Sequence, residues 1–389
     1  MLKTLFPYLL HRKGMVITMN ARDEMKDIRA EIDEVDAKMV ELFAQRMDNA
    51  DKIAKAKRKG NIGITDTDRE NEVIENALSR VPDDLKSETG MFIRMLMSLS
   101  KIRQKEALTG ASQLHFPASE TKKTKNISVA FQGISGAWGE NAAISLYPDT
   151  NIKNYEYFED VFFAVSKKEV DYGVVPIENS QTGAIGEVYD LLRQHGCFII
   201  NQIWIDIKHC LMAKPGTKLS DVREVLSHPE GFRQCHRFLK NKSWDTTVCK
   251  NTAVAAELVS QKSDSRCAAI GSQRAAELNG LEVIEANIAG DSSNRTRFIA
   301  IAAAPEYDQN SKTVSISFSA SHISGALCSV LNPFMLSGIN LSRIESRPAG
   351  SGKYRFFADL EANILEKATV EALSQAASFC DYFEVLGCY

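Results

Sequence analysis

The feature that most constrains the fold is a stripe of apolar residues between residues 28 and 42, whose members recur at alternating steps of four and three. They are Ile28, Ile32, Val35, Met39 and Leu42. This spacing is the apolar seam of an α-helix. We expect that helix to run from Asp23 to Lys59, which is about 55 Å at 1.5 Å per residue. Gly60 and Gly63 are expected to end it.

Two further helices are predicted after this one. Asp66 or Thr67 can cap the second helix, and a third follows the proline-containing break at 81–84 and ends near Leu108. Amphipathic helices of this length cannot bury their apolar faces within one segment of this size. We therefore predict an all-α domain over 22–108 that forms an intertwined dimer.

The remaining segments differ from this one in pattern. Residues 109–125 are polar and without periodicity, as in a linker. Between 126 and 304, short apolar runs alternate with helical stretches, which is typical of an α/β domain with mostly parallel strands. Residues 313–389 follow the order βαββαβ of a ferredoxin-like α+β domain. Residues 1–21 are expected to be a disordered extension.

Composition excludes several classes of protein. A net charge of −3 at pH 7 argues against broad binding to nucleic acid or to anionic membranes. No stretch approaches the ~20 apolar residues of a membrane helix. The eight cysteines contain no Cys-x-x-Cys pair, which favours reduced thiols in a cytoplasmic protein. We expect no metal and no other cofactor.

Arg46 is the most informative polar residue of the helical segment, because it continues the apolar seam. An unpaired cation there would cost several kcal/mol. Lys57, about three turns later, points from nearly the same side, whereas Arg29 points about 100° away. Two interpretations stay open: Arg46 is a structural residue that sets helix register, or it binds an anionic ligand. Arg29 could serve the site of a partner subunit.

The polar groups of the three helices resemble the substrate site of the all-helical chorismate mutase family. The matching positions are Arg29, Arg46, Lys57, Asp66, Arg69, Glu70, Ser100 and Gln104. The resemblance implies that these residues bind chorismate. It also implies that Lys57 and Gln104 stabilise the negative charge that develops on the ether oxygen as its bond breaks. Arg46, Arg69 and Arg29 of the partner subunit would hold the carboxylates.

Four stretches of the α/β segment, at 133–136, 173–185, 227–235 and 296–298, resemble prephenate dehydratases. The resemblance implies a two-lobed, periplasmic-binding-protein-like fold, with Thr296 as the hydrogen-bond donor to the departing hydroxyl. The residues that it assigns to prephenate are Glu178, Asn179, Ser180, Thr182, Ser227, Gln234, Arg297 and Phe298.

Three points in this resemblance stay open. Arg297 either pairs with a substrate carboxylate or is structural. Residues 137–139 are Ala-Trp-Gly, where the family often has Thr-aromatic-Ser, and Glu230 stands where glutamine is common. These departures leave the details of substrate binding undecided. His228, in a His-Pro turn, is interpreted as structural.

Residues 313–389 resemble an ACT domain of the phenylalanine-responsive type. The residues that the resemblance assigns to the effector are Gly325, Ala326, Leu327, Glu345, Ser346 and Arg347. A helix N-terminus beside a glycine offers free N–H groups to a carboxylate. The resemblance implies that L-phenylalanine binds here across a dimer interface and inhibits the enzyme.

The three resemblances together imply the bifunctional chorismate mutase/prephenate dehydratase family, with a C-terminal ACT domain. Such a chain rearranges chorismate to prephenate and converts prephenate to phenylpyruvate, as a homodimer or higher homo-oligomer. Two alternatives stay open: the second domain dehydrates arogenate, or the chain is a non-catalytic amino-acid sensor.

Overall fold

A computed structural model of the chain describes residues 6–60, 62–63, 66–109, 116–290, 293–350 and 353–389. The chain divides into two compact units, residues 1–113 and 114–389. Among the described residues, the first unit is helical and all the strands lie in the second.

Three α-helices build the described part of the first unit, as predicted. They are α1 (Phe6–Gly60), α2 (Thr67–Leu78) and α3 (Lys86–Thr109). Asp66 caps α2 by accepting a hydrogen bond from the backbone N–H of Arg69 at 3.1 Å. Helix α1 is longer than predicted, because residues 6–21, expected to be disordered, are helical. Pro7 does not prevent this, since it stands in the first turn, where the missing N–H has no intrahelical partner.

From residue 23 onward, where the side chains of α1 are described, only its C-terminal part is buried by the same chain. Ala50 and Ala54 are buried and small, which lets α3 pack closely and places Ile102 in the same core. The predicted seam is not covered: its exposed fraction runs from 45% at Met39 to 63% at Leu42. Within the described residues, a row of large apolar side chains on α1 therefore remains open to solvent.

The second unit contains fifteen strands and nine α-helices within the described part of the chain. The strands are β1 (Ser128–Gln132), β2 (Asn151–Tyr155), β3 (Tyr172–Asn179), β4 (Gly183–Ala184), β5 (Phe198–Asp206), β6 (Cys210–Ala213), β7 (Glu224–Ser227), β8 (Asp245–Val248), β9 (Cys267–Gly271), β10 (Glu282–Glu285), β11 (Arg295–Ala302), β12 (Thr313–Ala320), β13 (Leu341–Pro348), β14 (Tyr354–Glu361) and β15 (Cys380–Cys388). The helices are α4 (Trp138–Leu146), α5 (Phe158–Ser166), α6 (Gly186–His195), α7 (Pro229–Gln234), α8 (His236–Leu239), α9 (Thr252–Gln261), α10 (Gln273–Leu278), α11 (Ala326–Leu336) and α12 (Lys367–Ser378).

The region between β1 and β11 forms two lobes, as predicted. The first lobe contains β1 to β5 and β11, and the second is a separate sheet with the order β10-β6-β9-β7-β8. The prediction of mostly parallel strands is wrong. The chain leaves the first lobe after β5 and returns along β11, which lies antiparallel to both β3 and β5. Among the described strands of this region, parallel pairs join β1 to β2 and β3 in one lobe and β7 to β8 and β9 in the other.

The βαββαβ order predicted for the C-terminal segment is confirmed, with the antiparallel strand order β13-β14-β12-β15. Its edge strand β15 pairs with β5, which joins this sheet to that of the first lobe. Gly387 makes this possible, because a Cβ there would collide with the carbonyl oxygen of Ile199. Two segments that look separate in the sequence thus share one ten-stranded sheet.

No helix in the described part of the chain is both long and apolar enough to cross a membrane. The eight cysteines are free thiols, and burial raises the pKa of several of them, Cys197 and Cys235 most strongly.

Candidate active sites

Arg46 joins α1 to α3 in the helical unit. Its Nη1 donates a hydrogen bond to the carbonyl oxygen of Leu96 at 2.7 Å and another to the hydroxyl of Ser100. Partial burial lowers the pKa of this guanidinium from its usual value. The seam arginine therefore has partners on α3, and its remaining N–H groups can serve an anion.

Ser100 and Gln104 lie one turn apart on α3 and are both buried. The side-chain oxygen of Gln104 is enclosed and has no hydrogen-bond partner among the described residues. Buried polar atoms are usually paired, so this unpaired amide oxygen, one turn of α3 from Ser100, is consistent with a site that takes up a polar ligand.

The other predicted chorismate residues already have local partners. Asp66 caps α2, exposed Arg69 forms an ion pair with Glu72 at 2.6 Å, and Glu70 forms a partly buried one with Lys101 at 2.7 Å. The exposed pair contributes little to stability, so Arg69 remains available to a substrate.

Arg29 is not brought to this site by its own chain. It precedes Arg46 by 17 residues on the continuous helix α1, which separates their backbones by about 26 Å. A site that contains Arg29, Arg46 and Lys57 therefore requires Arg29 from another copy of the chain.

In the second unit, a cavity of about 490 Å³ opens between the two lobes. Its predicted members are Asn179, Thr182, Gln234, Thr296 and Phe298. Sequence reasoning did not select Gln132, Phe158, Ile207, His209, Lys250, Asn251 or Thr252, which line it too. Trp138, Gly139, His228 and Glu230, noted above as departures or as structural, are also part of the wall.

The first lobe presents Thr296 and Asn179 to this cavity from neighbouring positions of β11 and β3. The side-chain oxygen of Asn179 accepts the backbone N–H groups of Gln181 at 2.9 Å and Thr182 at 3.1 Å. Because backbone N–H groups only donate, the Asn179 amide nitrogen must face the other way, where it donates to the Thr296 hydroxyl oxygen at 2.9 Å. The Thr296 hydroxyl is thereby used as an acceptor, which leaves its own hydrogen for a ligand.

The second lobe contributes a chain of polar groups. The amide nitrogen of Gln234 donates to Glu230 at 2.9 Å, so its oxygen faces Nε2 of His209 at 2.8 Å. This geometry places a hydrogen on His209 Nε2. Burial lowers the pKa of His209, while the hydrogen bond from Arg233 lowers that of Glu230. A neutral imidazole and a carboxylate therefore hold Gln234 in one orientation.

Ser180 and Ser227 are two of the predicted prephenate residues that lie outside the cavity wall. The Ser180 hydroxyl donates to the carbonyl oxygen of Ser293 at 3.1 Å and accepts from the backbone N–H of Arg295 at 3.0 Å. Ser227 is fully buried and donates to the carbonyl oxygen of Ile270 at 3.1 Å. Both hydroxyls support the surrounding backbone.

Glu178 and Arg297 were also assigned to prephenate, but they extend from the opposite face of the sheet. Successive side chains of a strand alternate in direction, so the neighbours of Asn179 and Thr296 point away from the cavity. Arg297 donates to Asp359 at 2.5 Å and to the Tyr389 hydroxyl at 2.8 Å. These contacts support the structural interpretation of Arg297.

The contact between Arg297 and Asp359 shows that the shared sheet curls. The two residues lie on β11 and β14, four strands apart in the sheet order, which in a flat sheet would separate them by about 19 Å. Both are buried. Arg343 of β13 closes the same cluster through Glu178 at 2.9 Å.

The predicted effector residues fall on two elements of the C-terminal segment. Gly325 has φ +80° and starts α11, followed by Ala326 and Leu327. On β13, Glu345 and Arg347 lie on one face and exposed Ser346 on the other. Arg347 lies against Gly186 at the start of α6, where a Cβ would collide with its guanidinium. This side chain thus touches the helix that follows the cavity-lining residues Thr182 and Ile185.

Comparison with known proteins agrees with this division. The family model for chorismate mutase type II matches residues 28–105, and that for prephenate dehydratase matches residues 129–306. A bifunctional chorismate mutase/prephenate dehydratase of Enterobacter agglomerans is 30% identical over 95% of this chain and 97% of its own length. The chain belongs to this bifunctional family. It is an enzyme with a chorismate mutase domain and a prephenate dehydratase domain.

Two other relatives match about two thirds of the chain. An arogenate dehydratase/prephenate dehydratase of Arabidopsis thaliana is 38% identical over 68% of this chain and 72% of its own length. The crystal structure of a prephenate dehydratase from Arthrobacter aurescens in complex with L-Phe superposes with a TM-score of 0.62, at 27% identity over 68% of this chain and 90% of that one.

Proposed function

We propose that the enzyme performs its two reactions in the two separate sites described above. Chorismate is rearranged beside Arg46, Lys57, Ser100 and Gln104, and Arg29 of the partner subunit completes that site. Prephenate is dehydrated in the cavity between the lobes. The corresponding domains span 22–108 and 126–304, with an effector domain at 313–389. Both reactions take place in the cytoplasm.

The observation that carries the dehydratase assignment is the hydrogen bond from Asn179 to Thr296. Because the Thr296 oxygen is occupied as an acceptor, its hydrogen is directed to the departing ring hydroxyl of prephenate. Loss of that hydroxyl and of the ring carboxylate as CO₂ forms the aromatic ring. Asn179, Thr182 and Gln234 orient the substrate, and Phe298 supplies an apolar wall.

In the mutase site the protein needs no nucleophile, because the rearrangement is intramolecular. Arg46 and Arg69 hold carboxylates, which keeps the substrate in its compact reactive conformer. Lys57 and Gln104 stabilise the negative charge that grows on the ether oxygen, an interaction stronger in the transition state than in the ground state.

The exposed apolar seam of α1 supports a dimer through the helical unit, since contiguous apolar patches of this kind mark interaction sites. A second copy of the same helix matches it in length and character. The C-terminal domain also offers β13, an edge strand with exposed Ile344, to a partner strand.

L-Phenylalanine binds the C-terminal domain in this proposal and lowers dehydratase activity. The N-terminus of α11 offers N–H groups to its carboxylate. Arg347 supports a coupling between the effector site and the dehydratase site, because it contacts α6 directly behind the cavity-lining loop.

Assays of the full-length protein with separate substrates test the assignment. With chorismate, prephenate should form first and phenylpyruvate should follow. With arogenate, turnover to phenylalanine should be slower than that of prephenate. Faster turnover of arogenate would favour the alternative substrate, and no turnover of any of the three would favour the sensor.

Calorimetric titration with L-phenylalanine tests the effector site. Gly325→Val should abolish binding and inhibition. Gly338→Val is the matched control, because Gly338 also has positive φ and open space around it but lies beyond the other end of α11. Equal loss in both variants would show that strain alone removes the response.

A further inference from the structure

The wall of the dehydratase cavity contains one lysine or arginine among its described residues, Lys250. The substrate of this cavity is a dianion with one carboxylate on the ring and one on the side chain. The ring carboxylate leaves as CO₂ and must stay weakly solvated. A cation in the cavity is therefore best used on the other carboxylate, which persists in the product.

Lys250 lies on the second lobe and reaches across the cleft. Its ammonium group forms an ion pair with Glu156 of the first lobe and lies 5.3 Å from the ring centre of Tyr157. The side chains of Lys250 and Glu156 are 60% and 58% exposed. Exposed pairs of this kind contribute at most about 1 kcal/mol, so a substrate carboxylate can readily take the place of Glu156.

The neighbours of Lys250 favour an anion at the same position. Asn251 and Thr252 also line the cavity, and α9 starts at Thr252. Asn251 caps this helix by accepting the N–H of Val254 at 2.8 Å. The first N–H groups of a helix have no intrahelical acceptor, and the helix dipole favours negative charge there.

We propose that Lys250 is a specificity-determining residue, which binds the side-chain carboxylate of a 2-keto acid and disfavours the corresponding amino acid. In the keto acid, a neutral carbonyl stands next to that carboxylate. In arogenate, an ammonium group occupies this position, so Lys250 meets a like charge within a few ångströms. Specificity then arises from repulsion of the wrong substrate as well as attraction of the right one. This inference rests on the proposed dehydratase function of the cavity.

The test compares kcat/KM for prephenate and for arogenate in the full-length enzyme. Lys250→Met should lower kcat/KM for prephenate by about tenfold to a hundredfold, because a hydrogen bond to a charged group is lost. The value for arogenate should fall less or rise, so the ratio of the two should shift by about tenfold. Lys250→Arg should restore most of the ratio.

Glu156→Gln should have the opposite effect on prephenate to that of Lys250→Met. It removes the carboxylate that competes for Lys250, so KM for prephenate should fall. Lys242→Met is the matched control. Lys242 belongs to the same lobe but lies over the rings of Phe238 and Trp244, outside the cavity wall. Its substitution should leave both kcat/KM values unchanged.

The outcomes separate this inference from the function on which it rests. If the unaltered enzyme turns over neither substrate in this cavity, the proposed function is wrong. If it prefers prephenate and Lys250→Met leaves the preference unchanged, the function stands and the role of Lys250 is overturned. Equal loss on both substrates also overturns it, since a merely structural lysine would have that effect.

Discussion

The helical unit and the α/β unit differ in how much of each active site one chain supplies. In the α/β unit, Asn179, Thr296 and Gln234 reach one cavity from two lobes of the same chain. In the helical unit, Arg29 stands about 26 Å along α1 from Arg46, and the seam between them is exposed. A domain with two lobes can enclose a substrate alone, whereas a single long helix needs a partner.

The two units also differ in how their charges are placed. Arg297 of β11 and Asp359 of β14 are buried and form an ion pair between the first lobe and the C-terminal segment. The ion pair between Arg103 and Asp51, which joins α3 to α1, is partly exposed. Removing one partner of the buried pair should therefore cost more stability than removing one partner of the partly exposed pair.

The largest expected effect is on dehydration. Thr296→Val should lower turnover of prephenate by about 10²- to 10⁴-fold, because the donor to the leaving hydroxyl is lost. Thr296→Ser should retain much of the activity. Mutase turnover of chorismate measures whether the rest of the chain is intact. Near-normal formation of phenylpyruvate by the valine variant would contradict the assigned role.

Asp359→Asn should lower the free energy of unfolding of the α/β unit by about 3–5 kcal/mol, because it leaves the buried cation of Arg297 without its carboxylate. Tryptophan fluorescence during denaturation measures this selectively, since Trp138, Trp204 and Trp244 all lie in that unit. An unchanged transition would show that water or Tyr389 satisfies Arg297 instead.

Arg46→Ala should lower mutase activity by a free energy of about 2–5 kcal/mol, the effect of removing one partner of a charged contact. Turnover of supplied prephenate should stay at the level of the unaltered enzyme. Activity on chorismate that is also unchanged would leave Arg46 with the structural role alone.

Mixing inactive variants would sharpen the comparison between complete and shared sites. Arg29→Ala mixed with Lys57→Ala should recover about one quarter of mutase activity, because half of the dimers are mixed and each has one intact site of two. Thr296→Val mixed with Asn179→Ala should recover no dehydratase activity. If subunits exchange and neither mixture recovers, the mutase site is not shared.

The smallest effect is expected at the helical surface. Asp51→Asn should lower stability by about 0.2–1 kcal/mol, the usual contribution of an exposed ion pair. Far-ultraviolet circular dichroism during denaturation measures it. A loss as large as that of Asp359→Asn would mean that the pair is buried in the assembled enzyme.

The type of an element, helix or strand, was predictable where a regular spacing of apolar residues continued over many residues. The steps of four and three from Ile28 to Leu42 allow only a helix, and the strict alternation of Thr313–Ala320 allows only a strand. Short strands such as β2, β7, β8 and β10 cannot be predicted individually, because four or five residues carry too little periodicity.

The sequence predicted which residue types belong to the site, but not the direction in which each side chain points. Thr296 and Arg297 are adjacent, and alternation requires them to face opposite sides of β11. Which side holds the cavity depends on the packing of the second lobe. The sequence therefore left Arg297 open between a substrate contact and a structural role, and the structure shows it in contact with Asp359. Lys250 carried no local signal, because its role comes from a cleft between segments distant in sequence.

The sequence by itself determined the family, the helical nature of the first unit and the identity of the residues around Thr296, since these depend on local pattern and on motifs. Tertiary structure alone decided that β15 joins β5, that Asp359 meets Arg297, and that Lys250 faces the cavity. Contacts between residues far apart in the chain depend on how twisted sheets and lobes pack, and no short window of sequence contains that information.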